Sequence, residues 1–377
     1  MRIDYIQTFY SVVLFLLKGC EEMFLAWNEI KKNKLRFTLI MGVLMLISYL
    51  VFFLSGLATG LANLNRESVD KWDATGIVLT EESDKSLLQS SLTLDDAESI
   101  EAEEMAVISQ MNAIASNGDT KKNVAIFGIR EDEFIMPNVT EGKAFSKSNE
   151  VIASDALKEE GFQIGDKLYL SSTEETVTIV GFTDEGRFNA APVLYGELST
   201  FHKVKYGKAA DVNKDQINGI VVRADDVSTL TKDDELEAIE IETFIENLPG
   251  YTEQNLTLNF MIYFLCIISA VIVAIFLYVL TVQKISMFGV MKAQGISNGY
   301  LSRSVVAQTF ILAAIGVCVG FLLTLISGAF LPSAVPVSFD IVTMIVYGIL
   351  LIVVAVLGAL FSVRTIVKID PLKAIGG

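Results

Sequence analysis

Leu39-IMGVLMLISYLVFFLSGLATG-Leu61 is a run of 23 residues without a charged side chain. The hydrocarbon core of a bilayer is about 30 Å thick, and about 20 apolar helical residues are needed to cross it. Three further stretches meet this requirement, and the four predicted spans cover residues 37–64, 255–283, 304–330 and 341–363. The sequence therefore predicts an α-helical membrane protein with four transmembrane helices.

The 190 residues between the first two spans differ in charge from the rest of the chain. Residues 65–254 hold 39 of the 45 acidic residues and 17 of the 29 Lys and Arg residues, a net charge of −22, whereas the remainder carries +6. A chain that is 52% apolar and still strongly acidic is typical of a membrane protein with a large water-soluble insertion. The acidic balance excludes a nucleic-acid-binding protein, which needs a basic surface, and three cysteines are too few for a disulfide-stapled secreted module.

Lys and Arg residues beside the spans predict how the chain crosses the membrane, because cytoplasmic segments carry an excess of them. They lie in three segments, with Lys31, Lys32, Lys34 and Arg36 before the first span, Lys284, Lys292 and Arg303 after the second, and Arg364, Lys368 and Lys373 after the fourth. The sequence therefore predicts a multi-pass plasma-membrane protein. Both termini, loop 284–303 and tail 364–377 are expected to be cytoplasmic. Residues 65–254 and the short loop 331–340 are expected to be extracellular.

Residues 1–36 predict amphipathic helices on the inner membrane surface. Polar residues recur there at helical spacing opposite apolar ones, as Asp4, Gln7, Thr8, Ser11 and Lys18. A second apolar face follows between Met23 and Leu35 and includes Trp27. The alternative interpretation is that the residues before Met23 extend a protein whose core begins there.

Residues 65–254 combine strand-like and helix-like patterns, which predicts an α+β extracellular domain. Short β-branched runs between turn residues predict strands at 76–80, 124–127, 167–170, 176–180 and 219–222. Helical patterns cover residues 95–115, 154–160 and 232–247. We expect the domain to divide into two lobes near residues 185–200.

The sequence lacks the groups that catalysis or a resident cofactor would need. No stretch fits the phosphate-binding pattern GxxxxGKS/T, and a single histidine, His202, cannot supply a paired-histidine metal site. The four spans contain no Asp, Glu, Lys, Arg or His, the residues that ion-coupled transporters use as relays. We therefore expect no catalytic residues, no metal site and no intrinsic cofactor, and we expect another subunit to power any transport.

The cytoplasmic loop contains Gln283-KISMFGVMKAQG-Ile296, the pattern of a short basic amphipathic helix. Ile285, Phe288 and Met291 with Lys292 share one helical face, and Gly295 is a natural helix end. Such a helix beneath the membrane can dock into a groove on a partner. A simple connector between two spans would show the same periodicity.

This loop resembles the coupling segment E/Q-K-x-x-x-x-G-I/V-L/M-K/R-A-x-G of the MacB/FtsX/LolC superfamily of ABC transporter permeases. Lys368-IDPLKA-Ile375 resembles the tail signature of that superfamily, and Glu150–Gly186 resembles its extracellular core. The order of one span, a large insertion and three further spans is similar to its MacB-like, type VII exporter layout. The resemblance implies a homodimer served by two copies of a separate ATPase, which would bind the ATP. It implies that the loop bears on the ATPase through Lys284, Ile285, Phe288, Gly289, Met291, Lys292 and Gly295.

Leu277–Ser286 and Asp370–Gly377 most resemble the haem-exporting permeases of Gram-positive bacteria, the HrtB group. This resemblance implies haem efflux for haem detoxification, with haem as the transported substrate and an HrtA-like ATPase as the partner. Haem is a flat, largely apolar ring that needs aromatic or aliphatic walls and is held by an axial ligand. The candidate haem-binding residues lie near the outer ends of the first two spans or follow from the resemblance, and are Trp72, Phe188, Tyr251, Met261 and Tyr263. Aromatic residues at these depths are equally typical of simple interface anchors.

Two alternative functions share the same motifs. The chain would then be a MacB-like exporter of a peptide, an antibiotic or a lipid-linked substrate, or an FtsX-like signalling permease whose outer domain controls a cell-wall hydrolase. An enzyme is not supported, because the sequence offers no nucleophile–base pair or metal-binding cluster.

Overall fold

The computed structural model describes residues 31–367 except 33, 172, 185, 232, 233, 333 and 334, and for residues 361–367 it describes the backbone alone. The chain forms two compact units. A membrane unit joins the described residues up to Gly60 with those from Thr257, and an outer domain comprises Leu61–Leu256. The amphipathic helices predicted before residue 31 and the tail from residue 368 lie outside the described residues.

The α-helices of the described residues are α1 (Lys34–Asp70), α2 (Leu94–Glu98), α3 (Asp155–Glu159), α4 (Leu198–Tyr206), α5 (Ile241–Glu246), α6 (Tyr251–Gln283), α7 (Ile285–Ala293), α8 (Asn298–Ala329) and α9 (Ile341–Val367). The strands are β1 (Gly76–Thr80), β2 (Leu92–Thr93), β3 (Glu104–Asn117), β4 (Thr120–Ile129), β5 (Glu141–Gly142), β6 (Glu150–Ser154), β7 (Lys167–Leu170), β8 (Thr176–Thr183), β9 (Arg187–Phe188), β10 (Ala191–Glu197), β11 (Gln216–Ile217), β12 (Gly219–Arg223) and β13 (Leu236–Glu240). Helices α1, α6, α8 and α9 are long and apolar enough to cross a membrane. The described strands all lie between α1 and α6, which confirms the predicted fold class of four membrane helices with an inserted α+β domain.

Small residues bring the membrane helices close together. Gly316 and Gly320 of α8 lie against α1, and a Cβ atom at Gly320 would stand 2.6 Å from the Ser48 hydroxyl and 2.9 Å from the Met45 carbonyl oxygen. Gly358 of α9 approaches the α6 backbone in the same way. Close backbone approach stabilises helix pairs in lipid, where the hydrophobic effect gives no force between helices. Buried apolar side chains from all four helices then fill the space between them.

Strand β3 is shared by two parts of the outer domain. Its first half, Glu104–Ile108, pairs with β12 in a sheet of order β13–β1–β12–β3. Its second half, Ser109–Asn117, begins the order β3–β4–β10–β6–β8, and β7 pairs with both β8 and β3. The second set of strands therefore closes on itself as a six-stranded barrel.

Two side chains complete the hydrogen bonding of β3 where it changes partners. The Val107 N–H lies before the pairing with β4 begins, and it donates to the Glu133 carboxylate over 2.9 Å. The Gln110 N–H lies after the pairing with β12 has ended, and it donates to the Asn218 side-chain oxygen over 2.9 Å. A buried N–H without an acceptor costs about 1–3 kcal/mol. These two side chains therefore allow one strand to serve both the sheet and the barrel.

The predicted strands are all present, since β1, β4, β7, β8 and β12 contain the predicted segments, and α3 lies within the helix predicted at 154–160. The helix predicted at 95–115 is wrong, because α2 ends at Glu98 and residues 104–117 form β3. The Ala, Glu and Met residues of that segment favour a helix, but pairing with three strands outweighs this weak intrinsic preference.

Two further expectations for the outer domain need correction. The helix predicted at 232–247 is wrong over residues 236–240, which form β13, and α5 begins only at Ile241. The division into two lobes expected near residues 185–200 is not found there, because β10 is one of the barrel strands and pairs with β4 and β6. The two parts of the domain meet instead along β3. The sheet therefore takes strands from both ends of the domain sequence, and the barrel takes those from its middle.

Glu133→Gln is expected to stabilise the outer domain at pH 8 and to have little effect at pH 5. Burial raises the pKa of the Glu133 carboxyl from 4.5 to about 7, so its ionisation opposes folding and stability falls as the pH rises through that range. A glutamine keeps the acceptor for the Val107 N–H and cannot ionise. Because solvent still reaches part of the carboxylate, we expect a gain of about 1 kcal/mol at pH 8.

Unfolding of the full chain in detergent can be followed by Trp72 fluorescence in a Trp27→Phe background, since the chain has these two tryptophans. The control is Glu131→Gln, which removes an exposed carboxylate from the same loop. An equal gain at both pH values, or an equal gain in the control, would contradict the assignment.

Candidate functional site

The turn between β9 and β10 holds the outer end of α1. The Asn189 N–H donates to the Asn65 carbonyl over 3.1 Å, and the Ala190 N–H donates to the Leu64 carbonyl over 2.9 Å. Both turn residues have positive φ, +49° and +62°, the geometry that a two-residue hairpin turn requires. Alanine adopts this conformation at a cost of about 1–2 kcal/mol. The outer domain thus has a strained backbone at Ala190, where it binds α1.

Two side-chain contacts add to these hydrogen bonds, one from the last turn of α1 and one from the residue that follows it. The buried Tyr195 hydroxyl donates to the Ser68 hydroxyl over 3.0 Å, and burial raises the pKa of the Tyr195 hydroxyl, so it stays a neutral donor. The Lys71 ammonium pairs with the Asp184 carboxylate at 2.5 Å. The last two turns of α1 are therefore bound by the barrel, and Lys71, the residue after the helix, is bound by the loop that follows β8.

Arg66 connects the end of α1 to the beginning of α6. Its guanidinium donates to the Asp70 carboxylate on the same helix, to the Glu242 carboxylate on α5 at 2.9 Å and to the Tyr251 hydroxyl on α6 at 3.2 Å. A guanidinium suits this role because its planar fork can bind several acceptors at once. The outer ends of the first and second membrane helices are thus tied together by one side chain.

Three of the predicted haem-binding residues lie together in the core of the outer domain. The Phe127 ring stands between two of them, with centroids 6.0 Å from Trp72 and 5.2 Å from Phe188. Trp72, Phe188 and Tyr251 are only 2%, 3% and 8% exposed. In this conformation the rings of Trp72 and Phe188 are packing residues and offer no open face to a ligand.

The other two predicted residues lie on an exposed face of α6. Met261 and Tyr263 are 50% and 53% exposed. Phe260, Tyr263, Phe264 and Ile267 recur at helical spacing, and all of them are exposed. Within the described residues, α6 therefore presents a broad aromatic and aliphatic stripe that its own chain does not cover.

Helix α7 occupies the predicted coupling segment and ends as the sequence predicts. The Gly295 N–H donates to the Lys292 carbonyl and the Ile296 N–H donates to the Met291 carbonyl, each over 3.0 Å. Gly295 has φ +89°, the left-handed conformation that ends helices in this pattern. Lys284 precedes α7, and its ammonium lies 5.6 Å from the centre of the Phe37 ring.

The apolar face predicted for α7 points into the protein. Phe288 is 4% exposed and packs with Leu301 and Val305 of α8, and Gly289 is also buried. Ile285, Met291 and Lys292 are half-buried. The large apolar side chains of α7 that are open to a partner are Met287 and Val290, which are 41% and 43% exposed. The sequence does not predict this pair, because periodicity identifies an apolar face but does not show whether the same chain covers it.

Arg66 was also missed, although a signal was present. It is the first charged residue after the first span and has Asp70 four residues later, a spacing that favours an ion pair on a helix. Its links to Glu242 and Tyr251 depend on the fold and have no local pattern.

Comparison with known families accounts for both units of the chain. The family model described as MacB-like periplasmic core domain matches residues 37–238, and that described as FtsX-like permease C-terminal matches residues 259–371. The chain belongs to the MacB/FtsX family of ABC transporter permeases.

Individual relatives of this permease include hemin transporters by name. It is 27% identical to the hemin transport system permease protein HrtB of Staphylococcus haemolyticus, over 94% of this chain and 99% of that protein. It is 26% identical to an uncharacterized ABC transporter permease of Mycobacterium tuberculosis, over 69% of this chain and 71% of that protein. The crystal structure of the periplasmic region of MacB from Actinobacillus actinomycetemcomitans aligns with 47% of this chain and 94% of its own, at 17% identity and a TM-score of 0.35.

Family membership fixes the general role of this permease. It is a multi-pass membrane protein with an extracytoplasmic domain, and it is a transport subunit rather than an enzyme. An ABC permease of this family implies an ATPase partner.

Arg66→Gln is expected to destabilise the outer domain more than Lys71→Gln does. The two side chains are similarly exposed, but the Arg66 guanidinium serves acceptors on three residues, whereas the Lys71 ammonium serves Asp184 alone among the residues described. Loss of the charged hydrogen bonds of Arg66 should cost about 2 kcal/mol, against less than about 1 kcal/mol for the surface pair. Thermal unfolding followed by Trp72 fluorescence in the Trp27→Phe background measures both. Equal losses would show that the Arg66 network adds nothing beyond a surface ion pair.

Proposed function

We propose that this permease exports haem as a homodimer powered by a separate ATPase. The exposed aromatic stripe of α6 carries the proposal. Haem is flat and largely apolar, and Phe260, Tyr263 and Phe264 offer the kind of wall that it binds. Tyr263 can supply a phenolate to the iron, and Met261 a thioether. The relatives named as hemin transport permeases support the same substrate, because they match this chain over almost its full length.

A dimer would complete the site. One chain exposes its α6 stripe on a single side, so a second copy facing it would turn two apolar walls into a slot that covers both faces of one haem. Trp72, Phe188 and Tyr251 would not contact the ring, since all three are buried.

The test of the substrate is a haem titration of the purified, detergent-solubilised chain, followed at the Soret band. We expect saturable binding near one haem per two chains. Tyr263→Phe removes the phenolate and keeps the ring, so its affinity should fall about tenfold and its Soret maximum should shift.

The matched control is Tyr278→Phe, which removes an equally exposed hydroxyl from the same helix. The absence of saturable binding, or identical behaviour of the two variants, would count against haem. Family membership would stand, and a peptide, antibiotic, lipid-linked or signalling role would replace haem export.

We further propose that the ATPase docks on Met287 and Val290 of α7. Phe288 and Gly289 hold the helix against α8 from behind, and Gly295 ends it, so the exposed pair projects from a fixed support. The basic residues of the loop, Lys284, Lys292 and Arg303, favour an apolar groove bordered by acidic residues.

Val290→Asp is expected to weaken the complex with the ATPase at least about tenfold, because it places a charge in the centre of a desolvated contact. Co-purification of the ATPase and ATP hydrolysis by the assembled complex measure the effect. Asn298→Asp is the control, since it adds the same charge at an exposed cytoplasmic position at the start of α8. If both variants bind the ATPase like the parent, the docking face lies elsewhere.

A further inference from the structure

The inner end of α1 carries two exposed cations. Lys34 and Arg36 lie in the first turn of the helix, on either side of Leu35, and all three side chains are exposed. The chain crosses the bilayer with α1 before the outer domain begins, so this turn lies on the opposite, cytoplasmic side. The two cations therefore lie where anionic lipids give the cytoplasmic leaflet a negative surface potential.

The Arg36 side chain is held in place by a neighbouring membrane helix. Its guanidinium donates to the side-chain oxygen of Gln283, the last residue of α6, over 2.6 Å. A guanidinium has five N–H donors in a planar fork, so its bond to Gln283 leaves donors for a phosphate. Arg36 thus presents an oriented cation at the inner membrane surface.

An apolar stripe begins between the two cations and follows α1 into the membrane. Its members share one helical face, are exposed by 42–77% and are called the leucine stripe from here on: Leu35, Leu39, Leu46 and Leu50. From Leu35 to Leu46 the stripe measures about 16 Å, close to the depth of one leaflet, which is about 15 Å. The opposite face of α1 is buried in the membrane unit and includes Phe37, Ile40 and Leu44.

The leucine stripe has an open position at Gly42. Among the residues described, a Cβ atom at Gly42 would meet no other atom within 4 Å, whereas Cβ atoms at Gly316 and Gly320 would collide with α1. Gly42 is therefore not a site of close helix packing within this chain. It leaves a shallow depression in the leucine stripe, and one acyl chain can fill it.

We propose that this face of α1 binds an anionic phospholipid of the inner leaflet, with its phosphate on Arg36 and Lys34 and one acyl chain along the leucine stripe. Charge favours a lipid over a second copy of the chain, because a two-fold contact between two α1 helices would bring their cations together at one depth. The apolar stripe beside the cations favours a lipid over a free phosphate. The bound lipid sets how deeply α1 enters the bilayer, and this role does not depend on haem.

The experiment measures lipid binding to the purified, delipidated full chain by native mass spectrometry. The probes are phosphatidylglycerol and phosphatidylcholine with identical acyl chains, so they differ in the headgroup alone. We expect the parent chain to bind phosphatidylglycerol at least about tenfold more tightly, because two cations face its phosphate. Arg36→Gln keeps a donor for Gln283 and loses the charge, so this preference should fall about fivefold.

Two further variants separate the headgroup from the acyl chain. Gly42→Ile fills the depression without changing any charge, and it should weaken the binding of both lipids at least about threefold. Its fold is not at risk, because the new side chain enters open space. Arg303→Gln is the matched control for charge, since it removes an exposed guanidinium from the inner end of α8. It should leave the preference for phosphatidylglycerol unchanged.

Four outcomes would overturn the proposal. Equal affinity of the parent for the two lipids would exclude a headgroup site, and so would identical behaviour of Arg36→Gln and Arg303→Gln. Parental lipid binding by Gly42→Ile together with loss of the dimer would assign this face to a second copy. Loss of ATPase binding by Arg36→Gln with an unchanged lipid preference would assign the cations to the ATPase.

Discussion

A bilayer offers no hydrogen-bonding partner to a peptide group, so a chain crosses it with its backbone groups bonded to one another, and here it does so as helices. Helix α1 crosses the membrane in this way and extends beyond the hydrocarbon core. Its 37 residues correspond to about 55 Å, almost twice the hydrocarbon thickness. The excess turns extend beyond the hydrocarbon core, where the β9–β10 turn, Tyr195 and the acceptors of Arg66 bind them. The same helix therefore belongs to the membrane unit at one end and to the outer domain at the other.

Backbone groups left without a regular partner also explain the architecture of the outer domain. Strand β3 leaves one set of neighbours and joins another within its own length, and the exchange requires acceptors that no strand supplies at Val107 and Gln110. Glu133 and Asn218 supply them. For Glu133 this means a carboxyl that is more easily protonated than an exposed one, because its charge is poorly solvated. The buried Glu133 carboxylate is electrostatically unfavourable, but it allows β3 to run without a break from the sheet into the barrel.

The sequence predicts well the features that depend only on contact with lipid or on a short local sequence pattern. The four spans follow from runs without charge, and Gly295 follows from the chemistry of helix ends. The helix predicted at 95–115 fails because its residues have helical preference, while the strands that pair with it lie outside the segment, at residues 120–129 directly after it and at residues 219–223 far along the chain. The same limit applies to the candidate site. Periodicity identifies Phe288 as part of an apolar face, and its position identifies Trp72 as an interface aromatic, but only tertiary packing shows that both are covered by their own chain.

The way β3 divides its pairing also sets an order of assembly. The barrel strands come from one continuous stretch, from β3 to β10, so their pairing closes shorter loops than the pairing of β1 does. The sheet instead pairs Ile77 of β1 with Val221 and Ile239, near the opposite end of the domain. During export of the growing chain the barrel can form as soon as residue 197 has emerged, whereas β1 pairs with β12 only when residue 223 has crossed the membrane and with β13 only at residue 240. The apolar side chains of β1 are therefore the last to be shielded from water, and the half-built domain is most exposed to misfolding in that interval.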